Sequence, residues 1–303
     1  MLLSTVVLWA LNLTMSRYVI KHGFEPLAYS TVRYGGGTAI FIALTIAIER
    51  RLLFARRDWR IALAAAGAIV VNQIAFVYAL DHATASTVGL ILGSTPIFAA
   101  LTGLAVGLER VTPRFWLAAL VSFAGVALVA LGASGNVDAD AIGIVLAVVT
   151  AATWAAYSVA IAPLMRRYSP YRVSAVVLGL GWFGIAAVGA KQVAHQDFDL
   201  GWKVWAILAA ATLGPLVLTN VLWFRVLHRI GPSRATLAAN LQPFVAAVFA
   251  VVLLSEHMTW VQVGGGLLVA AGILVARRRG APRREALAPS AHEKLPPLSP
   301  GAE

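Results

Sequence analysis

The stretch STPIFAALTGLAVGLERVT, residues 94–112, returns in outline as LQPFVAAVFAVVLLSEHMT, residues 241–259. Without any gap, Pro96 aligns with Pro243, which lies 147 residues later, and a glutamate aligns with a glutamate near the end of each stretch. Each copy is an apolar segment that carries a proline in its middle. A chain that contains such a segment twice is expected to consist of two related halves.

The composition is typical of an integral membrane protein. Of the 303 residues, 60% are hydrophobic and 12% are charged, which is about half the charged share of a typical soluble protein. Apolar runs of about 20 residues follow one another, and each is long enough to span a hydrocarbon layer of roughly 30 Å. The chain has no cysteine, and its 6 histidines show no spacing typical of metal ligands. We therefore expect no metal and no cofactor.

Hydropathy predicts an all-α integral membrane protein with ten transmembrane helices. The first segment has neither a basic leader nor a cleavage site, so we interpret it as a spanning helix and not as a signal peptide. The ten segments lie at about 2–21, 27–48, 59–79, 84–107, 113–131, 141–165, 171–190, 203–225, 233–254 and 258–276. Signals typical of helix starts lie between them: Thr112-Pro113, Ser169-Pro170, Gly231-Pro232 and a capping box of Thr259 with Gln262.

The net charge of +11 is distributed unevenly between the two sides of the predicted membrane. Most of the 24 Lys and Arg residues lie in the loops after the second, fourth, sixth and eighth helices and in the segment 277–303. Positive loops remain in the cytoplasm, so we expect a multi-pass protein of the inner or plasma membrane with both termini cytoplasmic. The basic residues are then explained by contact with the lipid bilayer, and no nucleic-acid partner is expected. The segment 277–303 is rich in Pro, Ala and charge and is predicted to be a disordered cytoplasmic tail.

Further matches extend the repeat along the whole chain. At the same spacing Ser86 aligns with Ser233, and Trp9 aligns with Trp154 at a spacing of 145. The halves are predicted at 1–131 and 141–276. Five helices in each half is an odd number, so the second half would insert upside down relative to the first. Inverted repeats of this kind build many secondary transporters, whose substrate sites lie near the membrane midplane between the halves.

The chain resembles the EamA-type branch of the drug/metabolite transporter superfamily over nearly its whole length up to Ala276. Four stretches carry the resemblance, and they are specific for the family but not for a substrate: WALNLTMSRY (9–18), GSTPIFAALTGLAVGLERVTP (93–113), WAAYSVAIAPLMRR (154–167) and LWFRVLHRIGPSRATLAANLQPFVAAVFAVVLLSEHMT (222–259). The resemblance implies that the first, third, fourth, sixth, eighth and ninth helices line a central cavity.

Polar and aromatic residues in the middle of these helices are the candidate substrate-binding residues. A polar side chain is costly in lipid unless it is paired or faces water, and an alternative explanation is that such groups join helices by hydrogen bonds. Several are paired by the repeat, as are Asn12 with Tyr157 and Thr95 with Gln242. The predicted substrate-binding set is Trp9, Asn12, Asn72, Gln73, Thr95, Trp154, Tyr157, Asn220, Asn240 and Gln242.

Pro96 and Pro243 are the candidate gating residues. A proline inside a helix has no N–H to give to the carbonyl four residues back, so the helix is expected to bend there. The bend could serve gating or could be purely structural. The glutamates at the ends of the repeated stretches, Glu109 and Glu256, are interpreted as caps of the helix that follows each of them. Arg17 and Arg33 could bind the carboxylate of an anionic or zwitterionic substrate, but both lie near the outer ends of their helices and are expected to reach the surface.

We predict a secondary transporter, a monomer and not an enzyme, that exports a small uncharged or zwitterionic metabolite, most plausibly an amino acid. No Asp or Glu lies at mid-membrane, which disfavours cationic drugs and proton coupling by a buried carboxylate. Nucleosides and nucleobases remain alternatives, whereas sugar phosphates would require a central cation, which the sequence does not predict. An intramembrane enzyme would need a buried catalytic constellation, and none is evident. A membrane scaffold or sensor is the non-transporting alternative.

Overall fold

A computed structural model of the chain describes residues 2–83, 85–132, 140–245, 248 and 259–277. The regular structure of these residues is helical. Short 3₁₀ turns lie at Arg56–Asp58 and Leu164–Arg166, and a π-helix at Thr212–Leu218 joins α9 to α10. The α-helices are α1 Leu2–Lys21, α2 Pro26–Glu49, α3 Trp59–His82, α4 Ala85–Leu92, α5 Thr95–Ala105, α6 Pro113–Gly132, α7 Ala141–Ile161, α8 Pro170–His195, α9 Gly201–Ala211, α10 Thr219–Ile230, α11 Pro232–Ala239 and α12 Trp260–Arg277.

The described helices are long and apolar enough for a membrane protein. By length and composition, 8 helical segments of the described chain could cross a membrane, and Trp260–Ala276 is a shorter apolar helix. The prediction of an all-helical membrane protein is therefore confirmed. The count of ten helices remains a prediction, because residues 246, 247 and 249–254 of the predicted ninth helix lie outside the described residues. Residues 255–258, the linker 133–139 and the tail from 278 on also lie outside them.

Several helices begin where the sequence predicts. Proline is the first residue of α6, α8 and α11, as the Thr-Pro, Ser-Pro and Gly-Pro signals indicate. The Ser169 side chain caps α8 by accepting a hydrogen bond from the Arg172 N–H at 3.1 Å. The capping box at the start of α12 is also confirmed. The Thr259 N–H donates to Gln262 Oε1 at 2.8 Å, and the Gln262 N–H donates to Thr259 Oγ1 at 3.3 Å.

The fourth predicted helix is broken, and its break corrects the expectation of a kink at Pro96. The chain turns at 93–94, between α4 and α5, and Pro96 lies in the first turn of α5. Proline fits this position because the first N–H groups of a helix have no intrahelical partner. The Leu92 carbonyl is not free either, since Thr95 Oγ1 donates to it at 2.6 Å.

The ninth predicted helix breaks at the equivalent place. Helix α11 ends at Ala239, residues 240–241 form a turn, and residues 242–245 are helical again. Pro243 is thus the second residue of the new helical segment, as Pro96 is in α5. In both copies of the repeated stretch, therefore, the chain turns and a new helical segment begins where a bent helix was predicted, and the turn lies two to three residues before the proline.

Helices of the two halves pack closely at small residues. Helix α6 packs on α12, where a Cβ atom on Gly125 would lie 2.6 Å from the Gly265 carbonyl oxygen, and one on Gly272 would lie 2.7 Å from the Ala118 carbonyl oxygen. Small residues let helix backbones approach in this way. These two contacts are equivalent under the repeat, because Gly125 aligns with Gly272 and Ala118 with Gly265.

A second pair of equivalent contacts joins α2 to the π-helix and α8 to α3. A Cβ atom on Gly37 would lie 2.6 Å from Leu216 Cδ2, and one on Gly181 would lie 2.7 Å from Ile69 Cγ2. Gly37 aligns with Gly181 when Pro26 is aligned with Pro170, and Ile69 aligns with Leu216 at the spacing of 147. These paired contacts are what a two-fold related pair of halves would produce. The division into inverted halves itself remains a prediction.

One end of the bundle carries the loops 50–58, 106–112 and 162–169 together with Gly231, and is called here the Arg-rich end. The carboxylate of Asp58, 1% exposed, accepts hydrogen bonds from Arg167 and from the Tyr168 hydroxyl, the latter at 2.7 Å. Arg172 Nη2 lies 2.5 Å from a carboxylate oxygen of Glu49. The first contact ties the start of α3 to the segment that joins α7 to α8, and the second ties the end of α2 to the first turn of α8.

Glu109, at the same end, caps a different helix from the one that the sequence predicts. Its carboxylate accepts hydrogen bonds from the N–H of Ser233, at 3.2 Å, and from the Ser233 hydroxyl, in the first turn of α11. The interpretation that Glu109 stabilises the helix that follows it was wrong. It stabilises a helix N-terminus 124 residues away. Glu256 lies outside the described residues.

At the opposite end of the bundle, Asp140 begins α7. Its carboxylate accepts a hydrogen bond from the Gly143 N–H at 2.7 Å and contacts His82 Nδ1 at 2.9 Å. The hydrogen bond from Gly143, followed by the one from His82, holds the pKa of Asp140 below its usual value. The pairing also ties the end of α3 to the start of α7.

Candidate central cavity

A cavity of about 130 Å³ lies in the middle of the bundle. That is about ten times the volume that one buried water requires, so a small metabolite fits. Helices α1 to α5, α7, α8, α10 and α11 all contribute to its wall. Every member of the predicted substrate-binding set lines it: Trp9, Asn12, Asn72, Gln73, Thr95, Trp154, Tyr157, Asn220, Asn240 and Gln242. Pro243 also lines the cavity, whereas Pro96 is not among its lining residues. The binding role of the set is still a prediction.

The two broken helices contribute polar groups that bind each other. Asn240 Nδ2 donates to the Gly93 carbonyl at 3.0 Å and to the Ser122 hydroxyl at 3.1 Å. Asn240 and Gly93 are counterparts in the repeat, so this bond joins the two breaks directly. Gln242 Nε2 donates to the Trp9 carbonyl at 3.1 Å. These side chains hold the broken segments together as well as facing the cavity. Discontinuous helices at matched positions are typical of transporter substrate sites.

A second cluster of polar side chains is centred on α3. Asn72 Nδ2 donates to the Thr150 carbonyl of α7 at 2.8 Å, and Gln73 Nε2 donates to Asn72 Oδ1 at 3.2 Å. The remaining amide atom of Gln73, the acceptor Oε1, is buried without a hydrogen-bond partner among the described residues. A buried acceptor without a donor is costly. Gln73 Oε1 is therefore available to a donor group of a bound molecule.

The wall near α10 contains main-chain carbonyl groups of the π-helix that accept hydrogen bonds from side chains. Asn220 Nδ2 donates to the Leu216 carbonyl at 2.9 Å, and Thr219 Oγ1 donates to the Pro215 carbonyl. A π-helix with a proline inside it leaves carbonyl groups without regular helical donors. Gly214 and Pro215 lie within this π segment between α9 and α10. Asn220 satisfies this irregular backbone and lines the cavity at the same time.

Aromatic rings form the part of the wall nearest the Arg-rich end. The rings of Trp9 and Trp154 meet edge to face with centroids 5.4 Å apart, and Trp223 packs against Trp9 at 4.7 Å. Tyr157 packs on Trp154 at 5.4 Å, and its hydroxyl has no partner among the described residues. Trp223 is fully buried behind Trp9 and is not among the residues that line the cavity.

Arg33 is the main correction to the predicted site. Its place in the sequence predicts a side chain that reaches the outer surface, and no central cation is expected, yet Arg33 is 3% exposed and lines the cavity. Its Nη2 donates to Asn12 Oδ1 at 2.7 Å and to the Ala211 carbonyl at 3.2 Å. The physical reason is that α1 and the end of α9 offer acceptors at the depth of Arg33, so the side chain turns inward. Arg17, by contrast, donates to the Ala83 carbonyl at 2.9 Å near the helix ends.

Comparison with known proteins identifies the family. The sequence matches the EamA-like transporter family over residues 1–131 and 141–278. The chain belongs to the EamA-like transporter family. The resemblance seen in the sequence motifs is thereby confirmed. Among the described residues, no group of three or more His, Cys, Asp or Glu side chains could hold a metal ion.

Individual relatives of this EamA-like transporter are also named as transporters. It is 28% identical over 278 residues to "Uncharacterized transporter YwfM" of Bacillus subtilis (strain 168), with 88% of each chain covered. It is 27% identical over 286 residues to "Probable terminal-alkyne amino-acid exporter" of Streptantibioticus cattleyicolor, covering 91% of this chain and 95% of that protein. A solved crystal structure shares the fold with a TM-score of 0.74 at 20% identity, covering 91% of this chain and 94% of that one.

Proposed function

We propose that this EamA-like transporter exports a small zwitterionic or uncharged metabolite, with amino acids as the first candidates. The observation that carries the proposal is the cavity, which combines a buried donor, Arg33 Nε, and a buried acceptor, Gln73 Oε1, both without partners among the described residues. A zwitterion supplies the matching acceptor and donor. The tryptophans beside them would contact an apolar side chain. A relative named as an amino-acid exporter supports the same substrate class.

The proposed mechanism is alternating access by two inverted five-helix halves. The halves would rock against each other around the cavity, which would open to each side of the membrane in turn. The equivalent contacts of Gly125 and Gly272, and of Gly37 and Gly181, support related halves that pack about a two-fold axis. We also propose that the Arg-rich end faces the cytoplasm of the inner or plasma membrane, which the positive-inside rule supports. On this orientation both termini are cytoplasmic.

Neutral nucleosides or nucleobases are the second candidate class, because the amide groups of the cavity could pair with base edges. Sugar phosphates fit less well. The buried Arg33 removes the original argument against them, which was that no cation is central. However, Arg33 is the one Lys or Arg among the described residues that line the cavity, and a phosphate dianion would call for more than one cation. A membrane scaffold would need none of these groups.

Flux of labelled amino acids through the purified protein in liposomes tests the proposal. We expect saturable L-leucine flux that unlabelled amino acids inhibit and nucleosides do not, with little dependence on a pH gradient. Gln73→Leu removes the unpartnered acceptor, so the KM should rise about 10-fold. Thr31→Val is the matched control, because Thr31 Oγ1 bonds only within its own helix, to the Leu27 carbonyl. Inhibition by nucleosides alone would favour the second class, and no flux of any substrate through folded protein would contradict transport.

A further inference from the structure

The charge of Arg33 has no counter-ion in the described part of the chain. The side chain is 3% exposed, and the ion pairs of the described residues involve other groups. The Tyr29 ring, whose centroid lies 5.7 Å from the guanidinium carbon, offers only the negative face of an aromatic ring. A buried charge without an opposite charge is costly in a medium of low polarity. Such a residue is favoured where an anion binds next to it.

The guanidinium is held in place by neutral acceptors on one nitrogen. Nη2 donates to Asn12 Oδ1 and to the Ala211 carbonyl, whereas Nε has no partner among the described residues. Asn12 is itself held, since Ser16 Oγ donates to its Oδ1 at 3.4 Å. The planar guanidinium presents its N–H groups in a fixed fork that matches a carboxylate. Arg33 is therefore oriented before any ligand arrives, with donor capacity left unused.

The acceptor at Ala211 lies where α9 meets the π-helix. Pro215 has no N–H for the α-helical bond to this carbonyl, and a carbonyl oxygen that accepts the π-helical bond from five residues ahead still has a second lone pair for another donor. Arg33 Nη2 donates to this carbonyl across the gap between α2 and the end of α9. The irregular backbone around Pro215, which also lines the cavity, thus fixes the position of the cation.

We propose that Arg33 binds the carboxylate of the molecule that this protein transports, and that Asn12 is a positioning residue for Arg33. The inference rests on the proposed function in one respect, namely that the central cavity is the substrate site. It narrows the substrates to small molecules with one carboxylate, including amino acids. It also changes the predicted role of Asn12, whose oxygen is occupied by Arg33 and does not face the substrate as an independent acceptor.

Matched pairs of carboxylate and amide test this recognition directly. The purified protein in detergent is heated with L-leucine or L-leucinamide, and with nicotinate or nicotinamide, and the shift of the melting temperature gives each affinity. In liposomes, the same pairs compete with labelled L-leucine.

We expect the native protein to prefer the carboxylate by about 10-fold or more. Arg33→Gln should lower the ratio of carboxylate affinity to amide affinity to about one. Arg33→Lys should retain part of the preference for the carboxylate, and Asn12→Leu should weaken it. Arg17→Gln, which removes a cation outside the cavity, should leave it unchanged.

The outcomes separate this inference from the proposed export. If Arg33→Gln weakens carboxylate and amide equally, Arg33 has only a structural role and the inference is overturned, although amino-acid flux can stand. If neither carboxylate shifts the melting temperature of the native protein while nucleosides do, the inference is overturned and the second substrate class is favoured. If carboxylates stabilise the native protein through Arg33 but no flux occurs, the site is supported and export is contradicted.

Discussion

Replacing Gly125 by valine is expected to lower the free energy of unfolding by about 3 kcal/mol or more, enough to prevent stable folding. A Cβ atom at this position would lie 2.6 Å from the Gly265 carbonyl oxygen and 2.7 Å from the Val269 nitrogen. Both atoms belong to the backbone of α12, so a rotamer change cannot relieve the clash. The two helices would have to separate along their whole contact, where close packing is the main attraction between helices in lipid.

Thermal unfolding in detergent, followed by tryptophan fluorescence, measures this effect. Gly264→Val is the matched control, since it introduces the same side chain into α12 at a position where nothing lies within 4 Å of the new Cβ atom. The control should unfold at or slightly above the native temperature, because valine has a somewhat higher helix propensity than glycine. Equal melting temperatures for Gly125→Val and Gly264→Val would contradict the close packing of α6 on α12.

Glu109→Ala is expected to raise the fraction of molecules that are open at the Arg-rich end of the cavity by a factor of about 10 to 100. The Glu109 carboxylate is the acceptor for the Ser233 N–H and hydroxyl, and so joins the α5–α6 loop to the first turn of α11. Hydrogen bonds to a charged acceptor are worth about 1.5 to 3 kcal/mol each when they are removed. Without them, the N-terminus of α11 has no partner in the other half at this point, and the closed arrangement loses stability.

Cysteine labelling provides the measurement, because the chain contains no cysteine of its own. Thr236→Cys places a thiol in the cavity wall on α11, where the native residue is 2% exposed. The rate of its reaction with a membrane-impermeant thiol reagent, added from the Arg-rich side, should rise by about that factor in the Glu109→Ala background. Glu25→Ala at the other end, whose side chain makes no capping hydrogen bond, should leave the rate unchanged. An unchanged rate in Glu109→Ala would show that this contact does not hold the end closed.

The sequence predicts the walls of the cavity well because polar groups in apolar helices must turn away from lipid. Asn72, Asn220 and Asn240 lie in the middle of spanning segments, and each faces the cavity and bonds to main-chain carbonyls there. Helix starts are also predictable, since a proline after a capping residue fits the first turn and little else. Both kinds of inference depend on properties of one segment at a time.

The partners of charged residues could not be predicted, because they depend on how segments meet. Arg33 lies 7 residues from the start of its helix, a depth from which a side chain can reach the surface. Its inward direction is decided by Asn12 on α1 and by the Ala211 carbonyl at the end of α9. Glu109 likewise has a suitable helix start directly after it and binds a different one. A proline such as Pro96 is compatible with both a kink and a new helix start.

The hydrogen bond between Asn240 and Gly93 makes the two halves unequal at the point where they meet. The two positions are counterparts in the repeat, but only one of them has a side chain that can donate. In a transport cycle that exchanges the roles of the halves, Gly93 cannot return the bond that Asn240 makes. In the alternating-access cycle proposed above, the outward-open and inward-open states would then differ in free energy, and the empty protein would favour one of them.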